Sequence, residues 1–534
     1  MAKKEKTASQ IGVILLAGGE GKRMRSQEPK VVSTLGGFPM IAYILRSISG
    51  ACSEATIAIV VGKKNRDTIM DVVKAYQKHW YPNLKIKEVI QKTPLGTGDA
   101  VRCVMDSELG QNAKFSHWLV LPGDQPLMSA ELIEQMCAPI ARTLPIRMMT
   151  CVVTQPTGYG RVVRRGKKGQ VLRIVEEKDA KPREKLIQEI ATSVFLFRTS
   201  FLKAGLKKLT PKNAQNEFYL TDLIFQASRS GKKIDVLQWG TPSDLMGVNN
   251  PWERSRAAEI LNQRKLYRVS LEGVHLQDRQ SIWIDEEVKL DAGVVIEPNV
   301  ILKGNVKIGA GTIIRSQSRL ENTQVGSDCE IKTGTICIDS QVGDRVRLGP
   351  YAHLRPDSQI QDDAKIGNFV EIKKSTIGKK TSIAHLSYVG DALIGERVNI
   401  GCGFVTCNFD GRVINGQRKH QTVIGDGAFI GSDCQTVAPV RIEKEAYVAS
   451  GSTVTQDVAS GDLAIARSRQ VNKKGFARRL MGMSSSSTPG SQVKESKAQN
   501  DQSEDREDQD QGEGTSQMTS KSSTESVKGN LCAE

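Results

Sequence analysis

Residues 284–314 read IDEEVKLDAGVVIEPNVILKGNVKIGAGTII, and an aliphatic residue returns at every sixth position: Ile284, Leu290, Ile296, Leu302, Ile308 and Ile314. The same spacing resumes at Val342, Leu348, Leu354, Ile360, Ile366 and Ile372, and again at Ile394 with Ile400 and at Ile424 with Ile430. A period of six fits neither the period of about 3.6 of a helix nor the period of about 2 of an ordinary strand. It fits a hexapeptide solenoid, in which three short strands make one triangular coil of roughly 18 residues and the recurring side chain fills the prism. Ile284 to Val458 is therefore expected to form stacked triangular coils.

Around that stretch, 534 residues leave room for two or three domains, and 39% hydrophobic residues suffice for their cores. The net charge of +16 is spread along the chain, and aromatics are only 5%. Stacking platforms for single strands are therefore not evident, so small anionic substrates, not nucleic acid, are the expected partners. The ten cysteines include no CxxC pair, which indicates neither a zinc site nor a disulfide framework and fits a reducing cytosol. No window approaches a membrane span, so membrane insertion is not expected and a cytoplasmic protein is.

Before the hexads, Ile11 to Leu16 is an apolar run that ends in Ala17-Gly18-Gly19-Glu20-Gly21-Lys22-Arg23-Met24, with Pro29-Lys30 just after. A buried strand feeding a Gly-rich turn lets backbone N–H groups approach an anion, and Lys22, Arg23 and Lys30 add positive charge. Ile57 to Val61, Ile86 to Ile90 and Trp118 to Leu121 read as further strands separated by helical patterns, so the first part is expected to be a doubly wound α/β sheet. Ligands on such sheets gather at the carboxyl ends of the strands. There lie Gln91, Leu95-Gly96-Thr97-Gly98 and Pro122-Gly123-Asp124. An Asp in that position suits Mg²⁺ beside phosphates, and equally a turn or helix cap. From Trp252 to Tyr267 the pattern turns polar and helical, which reads as a solvated linker.

Leu16 to Gly19 through Arg23-Met24, Pro29-Lys30, Leu95 to Gly98, Gly123-Asp124 and Pro156-Thr157-Gly158-Tyr159-Gly160-Arg161 resemble the sugar-nucleotide pyrophosphorylases. With the hexads, residues 10 to 475 resemble the bifunctional bacterial enzymes that acetylate glucosamine-1-phosphate and then uridylylate the product. The resemblance implies a Rossmann-like nucleotidyltransferase domain over 1–251, a linker helix over 252–272 and a left-handed parallel β-helix over 273–480. Composition predicts a disordered tail over 481–534. The resemblance further implies Mg²⁺, UTP and acetyl-CoA as cofactor and co-substrates, a homotrimer with shared acetyltransferase sites, and a role in making UDP-N-acetylglucosamine for cell-envelope polymers.

Carried over residue by residue, the resemblance places Leu16, Ala17, Gly18, Gly19, Gln91, Gly96, Thr97 and Gly123 around the nucleotide. Arg23 and Lys30 face the phosphates, and Gly160 and Glu176 hold the amino sugar. Asp124 and Asn249 bind Mg²⁺, with Asn249 also touching the sugar nucleotide. On the prism, His385 is implied as the general base, Arg355 and Lys373 as the phosphate clamp, Tyr388 and Asn399 as sugar contacts and Glu371 as support for the base. Cys402, Asn408, Phe409, Ser432, Ser450 and Arg467 are implied at acetyl-CoA.

Three departures stand out. Glu189-Ile190-Ala191-Thr192-Ser193 replaces the family's Glu-Ile-Asn-Thr-Gly, which removes one side-chain amide from the sugar site. Asn408-Phe409-Asp410 replaces Asn-Tyr-Asp. The loop from Gly411 to Thr422 is longer, and its Arg412, Arg418, Lys419 and His420 read equally as partners of the anionic end of CoA and as residues of a solvated loop. These leave two other readings open at the level of sequence: a nucleotidyltransferase with altered or lost acetyl transfer, and a non-catalytic assembly or regulatory protein of the same layout.

Overall fold

The computed structural model describes residues 11–483 except 20, 22, 23, 25, 27, 113, 142, 167, 168, 412, 414 and 415. Arg23 and residues 484–534 of the expected tail therefore lie outside the described residues. Those up to Ser468 belong to one compact unit, and those from Arg469, with a short helix over Phe476–Leu480, to another. No helix among the described residues is long and apolar enough to cross a membrane.

The first unit begins with a nine-stranded sheet built from Ile11–Leu16 (β1), Thr56–Gly62 (β2), Lys85–Gln91 (β3), His117–Pro122 (β4), Ile146–Val152 (β5), Gly160–Arg164 (β6), Val171–Val175 (β7), Glu189–Arg198 (β8) and Asp235–Gln238 (β9). Its order is β9-β5-β8-β4-β1-β2-β3, with β6 on β8 and β7 on β6. β1 lies parallel to β2 and β4, and β8 runs antiparallel to β4 and β5. The unbroken apolar run of β1 follows from burial on both faces: Val13 and Leu15 enter one core, Ile14 the other. Helices over Met40–Ala51 (α1), Arg66–Trp80 (α2), Thr97–Asp106 (α3), Ala130–Cys137 (α4) and Asp222–Arg229 (α5) accompany the sheet. α1 buries Met40 to Leu45 and Ile48, and of these Ile41, Ile44, Leu45 and Ile48, at the spacing of one helical face, enter the same core as Val13 and Leu15.

The strands predicted near Ile57, Ile86 and Trp118 are present. β8 carries an irregularity between Ala191 and Phe195, where Ser193 takes φ 61°. A side chain in that conformation crowds its own carbonyl, at roughly 1–2 kcal/mol. Ser193→Gly should therefore stabilise the front half by about 1 kcal/mol, seen as a higher urea midpoint by tryptophan fluorescence. An unchanged or lower midpoint would contradict the strain.

The polar stretch after the sheet is a helix over Pro251–Leu271 (α6), but it is no solvated spacer. It buries Ala257, Leu261, Leu266 and Val269. Its polar residues are spent on the first coil of the prism: Asn262 Nδ2 donates to Ile282 O at 2.8 Å and its Oδ1 accepts from Ile284 N at 2.9 Å. Lys265 Nζ donates to Glu286 O at 3.1 Å and Val288 O at 2.7 Å, and burial holds its pKa below the ordinary lysine value. Arg46 from α1 and Arg268 from α6 share the Glu286 carboxylate, at 2.7 and 2.8 Å.

From His275–Leu276 to Leu463–Ala464 the chain winds through three parallel sheets of eleven, ten and nine short strands, each strand pairing with the third one on until Tyr447–Val448, which pairs with Leu463–Ala464, the second one on. This is the left-handed parallel β-helix of hexapeptide coils. Every hexad residue named above is buried, from Ile284 to Ile430. Each such aliphatic side chain contributes roughly 1.5–3 kcal/mol by leaving water. Ala392 pairs with Thr422 where the previous coil pairs Thr376 with Leu393, so the longer loop ending at Gln421 is accommodated within one coil.

Candidate active sites

At the carboxyl ends of the front strands, the turn after β1 is held between its neighbours. Gly123 N donates to Leu16 O at 2.8 Å and Ala17 N to Val60 O at 2.9 Å. A Cβ on Gly123 would stand 2.6 Å from Leu16 O, so glycine is what permits this approach. Gln91, buried at the end of β3, turns its Oε1 toward Gly18 and donates from Nε2 to Gly96 O at 3.2 Å and Asp99 Oδ2 at 2.8 Å. Gly96 takes φ +106°, and Thr97 Oγ1 accepts from Leu220 N at 3.1 Å. Leu16 to Gly19, Gln91, Gly96, Thr97 and Gly123 are thus assembled at one end of the sheet. Asp99, which fixes Gln91 and pairs with Arg102, carried no signal in the sequence beyond its place in the first turn of α3.

Lys30, Asp124 and Asn249 converge. Val248 N donates to Asp124 O at 2.8 Å, which lays the two segments side by side. Lys30 Nζ then sits 2.5 Å from Asp124 Oδ2 and 2.9 Å from Asn249 Oδ1. Among the described residues no cluster of three or more His, Cys, Asp or Glu is placed to hold a metal. The Asp124 carboxylate and the Asn249 amide oxygen are the two groups here that would hold a cation in place of that ammonium.

Toward β6, a Cβ on Gly160 would lie 3.3 Å from Glu176 Oε2. Burial pushes the Glu176 carboxyl above its ordinary pKa, while the Thr221 hydroxyl donates to Oε1 at 2.9 Å and works against the shift. The loop before Gly160 is anchored by Glu177, which accepts from Gly158 N at 3.0 Å and pairs with buried Arg161 at 2.7 Å. Ala191 pairs in register with Gly160 and is buried, so its methyl borders this corner.

The second constellation follows the prism's register. Ile366, Ile383, Ile400, Ile430, Val448 and Ala464 are successive partners in one sheet. Two residues beyond the first five stand Asn368, His385, Cys402, Ser432 and Ser450, which therefore form one continuous edge. Arg467 reaches its far end, with Cδ 3.9 Å from a Cβ built on Gly451. His385 Nδ1 bonds to Asn368 Oδ1 at 2.8 Å. Because that oxygen only accepts, Nδ1 is the donor, which in the neutral ring leaves the lone pair on Nε2. Glu371 does not support the base as expected; its carboxylate accepts from Arg355 Nη1 at 2.7 Å instead. Asn368 was missed, although a residue one coil before His385 on the same edge is where a support must stand.

Arg355, Lys373 and Tyr388 share the next face, since Glu371 pairs with Tyr388 and Lys373 with Gly390. A Cβ on Gly390 would stand 2.5 Å from Tyr388 Oη and 2.7 Å from Asn408 Nδ2, so these two polar groups meet over glycine. Asn408 is buried and donates to Asp391 Oδ2 at 2.6 Å, whereas Phe409 is exposed. Asn399 lies on the other sheet, between Ser382 and Phe429 in register, and so across the His385 edge from Arg355, Lys373 and Tyr388.

The long loop also brings Lys419, which the sequence left open as a CoA partner or a solvated loop residue, to this face. Lys419 and then Arg355 are the main causes that hold the Lys373 pKa below its ordinary value, and Lys419 Nζ lies 4.0 Å from Asp391 Oδ2. Three cations crowding one face suit a phosphate dianion. Lys419→Met should raise KM for a sugar phosphate about tenfold with kcat nearly unchanged. It should also move the alkaline limb of the KM profile to higher pH, because Lys373 loses the neighbour that drives its proton off. An unmoved limb would contradict the cluster.

A Gly-rich loop and convergent Lys–Asp–Asn on a mixed α/β sheet, in series with a hexapeptide prism, define a two-part transferase. Residues 12–253 match the nucleotidyl transferase family and residues 339–374 the bacterial transferase hexapeptide repeat. The chain is 40% identical over 464 residues to the bifunctional protein GlmU of Trichlorobacter lovleyi, covering 87% of this chain and 97% of that one. It is 41% identical over 472 residues to that of Sorangium cellulosum (88% and 96%) and 38% identical over 466 residues to that of Carboxydothermus hydrogenoformans (87% and 99%). The chain belongs to the bifunctional GlmU family.

Proposed function

We propose that the chain carries out two successive steps on one amino-sugar phosphate. The prism transfers acetyl from acetyl-CoA to glucosamine-1-phosphate, and the front half then transfers uridylyl from UTP to N-acetylglucosamine-1-phosphate, releasing pyrophosphate. The observation that carries this reading is that one chain holds both the Lys30–Asp124–Asn249 convergence and the Asn368–His385 edge.

In the first step His385 Nε2 takes a proton from the sugar amine as the nitrogen attacks the thioester carbonyl, and returns it to the departing CoA thiolate. Arg355, Lys373 and Lys419 offset the sugar phosphate's charge, and Tyr388 orients the ring. Cys402, Asn408, Phe409, Ser432, Ser450 and Arg467 border acetyl-CoA along the edge. Asn399, on the neighbouring face, is best used by a substrate held between two prisms. This supports a homotrimer with shared sites, as does the exposed apolar corner formed by Tyr351, Phe369 and Leu386 beside His385.

In the second step the sugar phosphate is already an anionic nucleophile, so positioning and charge neutralisation suffice and no base is required. Leu16 to Gly19, Gln91, Gly96, Thr97 and Gly123 hold the nucleotide, while Gly160 and Glu176 hold the amino sugar. Asp124 and Asn249 would hold Mg²⁺, which supplies neutralisation of the phosphate charge. Lys30 and Arg23 bind the triphosphate and the incoming phosphate. On this reading 1–251 is the nucleotidyltransferase domain, 252–272 the connecting helix and 273–480 the acetyltransferase, in a cytoplasmic enzyme.

The test is to assay purified protein for CoA release with glucosamine-1-phosphate and, separately, for Mg²⁺-dependent pyrophosphate release from UTP with N-acetylglucosamine-1-phosphate. Both activities are expected, and chelation should abolish only the second. Pyrophosphate release alone would support a nucleotidyltransferase that has lost acetyl transfer; neither activity in well-folded protein would overturn the proposal.

A further inference from the structure

The amide nitrogen of Gln91 carries two hydrogens and uses both. One goes to Gly96 O at 3.2 Å and the other to Asp99 Oδ2 at 2.8 Å. A carbonyl and a carboxylate only accept, so the amide cannot turn over: its Oε1 would then face two oxygens with no hydrogen between them. The direction of this buried side chain is therefore set by its neighbours. Its Oε1 is left toward the turn after β1, 3.5 Å from a Cβ built on Gly18, and no residue among those described donates to it. Asp99, buried in the first turn of α3, is held in its turn: Arg102 Nη2 donates to Oδ1, and the guanidinium lies 4.5 Å from the centre of the Phe218 ring. Phe218 is tied to the nucleotide loop, donating from N to Leu95 O and accepting at O from Gly98 N, both at 2.8 Å.

We propose that Asp99, braced by Arg102, is a positioning residue that makes the front site choose uracil over cytosine. The inference rests on the nucleotide site proposed above. A uracil joined to ribose through N1 has one hydrogen-bond donor, N3–H, set between two carbonyl oxygens. Cytosine has a bare N3 and an amino group beside it. An acceptor held opposite N3 therefore bonds uracil and meets cytosine lone pair against lone pair.

A glutamine free to turn over would serve both bases, offering oxygen to one and nitrogen to the other. Asp99 removes that freedom, because Gln91 Nε2 is already engaged and only Oε1 is left for the base. A site with a fixed, buried hydrogen-bonding group rejects the ligand that leaves it unpaired. Asn in place of Asp99 reverses the constraint. Arg102 only donates, so the Asn oxygen would face Arg102 and its nitrogen would face Gln91, which favours the turned amide.

The experiment measures equilibrium binding of UTP and of CTP to the full chain with Mg²⁺ by calorimetry, and kcat and KM for pyrophosphate release with each. The parent should bind UTP at least about 100-fold more tightly than CTP. Asp99→Asn should narrow that preference at least about tenfold, by weaker UTP and tighter CTP binding, with kcat for UTP within about threefold of the parent. The double variant Asp99→Asn with Arg102→Met leaves the Asn amide free to present its oxygen to Gln91 again, and should recover part of the preference. A merely structural role would weaken both nucleotides alike and leave their ratio where it was. A parent that binds CTP as well as UTP, an unchanged ratio in Asp99→Asn, or a double variant no more selective than the single one would overturn the proposal. A binding preference that follows this pattern without pyrophosphate release would count against the reaction assigned above and would support the role of Asp99.

Discussion

Asp124→Asn should lower kcat for pyrophosphate release by roughly 100- to 1000-fold, the usual scale for removing one fixed charge that stabilises a transition state. The substitution keeps the shape of the side chain. It also keeps the backbone bonds that position residue 124, from Gly123 N to Leu16 O and from Val248 N to Asp124 O. What it removes is the carboxylate facing Lys30 Nζ at 2.5 Å. The sugar end of the site, at Gly160 and Glu176, is untouched, so KM for N-acetylglucosamine-1-phosphate should move by no more than about threefold. Acetyl transfer, which takes place on the prism, should match the parent. A variant with the parent's kcat for pyrophosphate release would remove Asp124 from the mechanism.

His385→Ala should have the opposite pattern: CoA release falls by about 1000-fold while pyrophosphate release from N-acetylglucosamine-1-phosphate is unchanged. Arg355, Lys373 and Lys419 remain to bind the phosphate, so KM for glucosamine-1-phosphate should be nearly that of the parent. Asn368→Ala offers a graded companion. It leaves the imidazole in place and removes only the acceptor at 2.8 Å that sets its tautomer, so a loss of about tenfold is expected. Equal losses in both variants would mean that Asn368 touches substrate instead of positioning the base.

The prism was legible because its signal is a count. A side chain that must fill a triangular coil recurs at six, and Ile284 through Ile430 are buried where that count places them. The loops at the carboxyl ends of the strands were legible for a related reason, since a Gly-rich turn or a lone acid directly after an apolar run marks the end of a buried strand, where ligands gather. What could not be read depends on contacts between distant segments. Asn262 and Lys265 look like solvated helix residues in a linear pattern, yet they bond to carbonyls of the first coil. Lys419 sits in a loop with no period, so nothing in its spacing could place it beside Lys373. The exchange of Glu371 for Asn368 beside His385 turns on which residue shares an edge and which a face, a distinction of three positions that becomes visible only when the coils are stacked.

The central claim is that one chain runs two consecutive reactions at separate sites, joined by a released intermediate. Its most direct test supplies glucosamine-1-phosphate, acetyl-CoA, UTP and Mg²⁺ together and follows UDP-N-acetylglucosamine formed by Asp124→Asn, by His385→Ala and by an equimolar mixture of the two. Each variant alone should be nearly silent, and the mixture should recover a substantial part of the parent's rate after a lag. A mixture as silent as its components, with both variants well folded, would contradict the account.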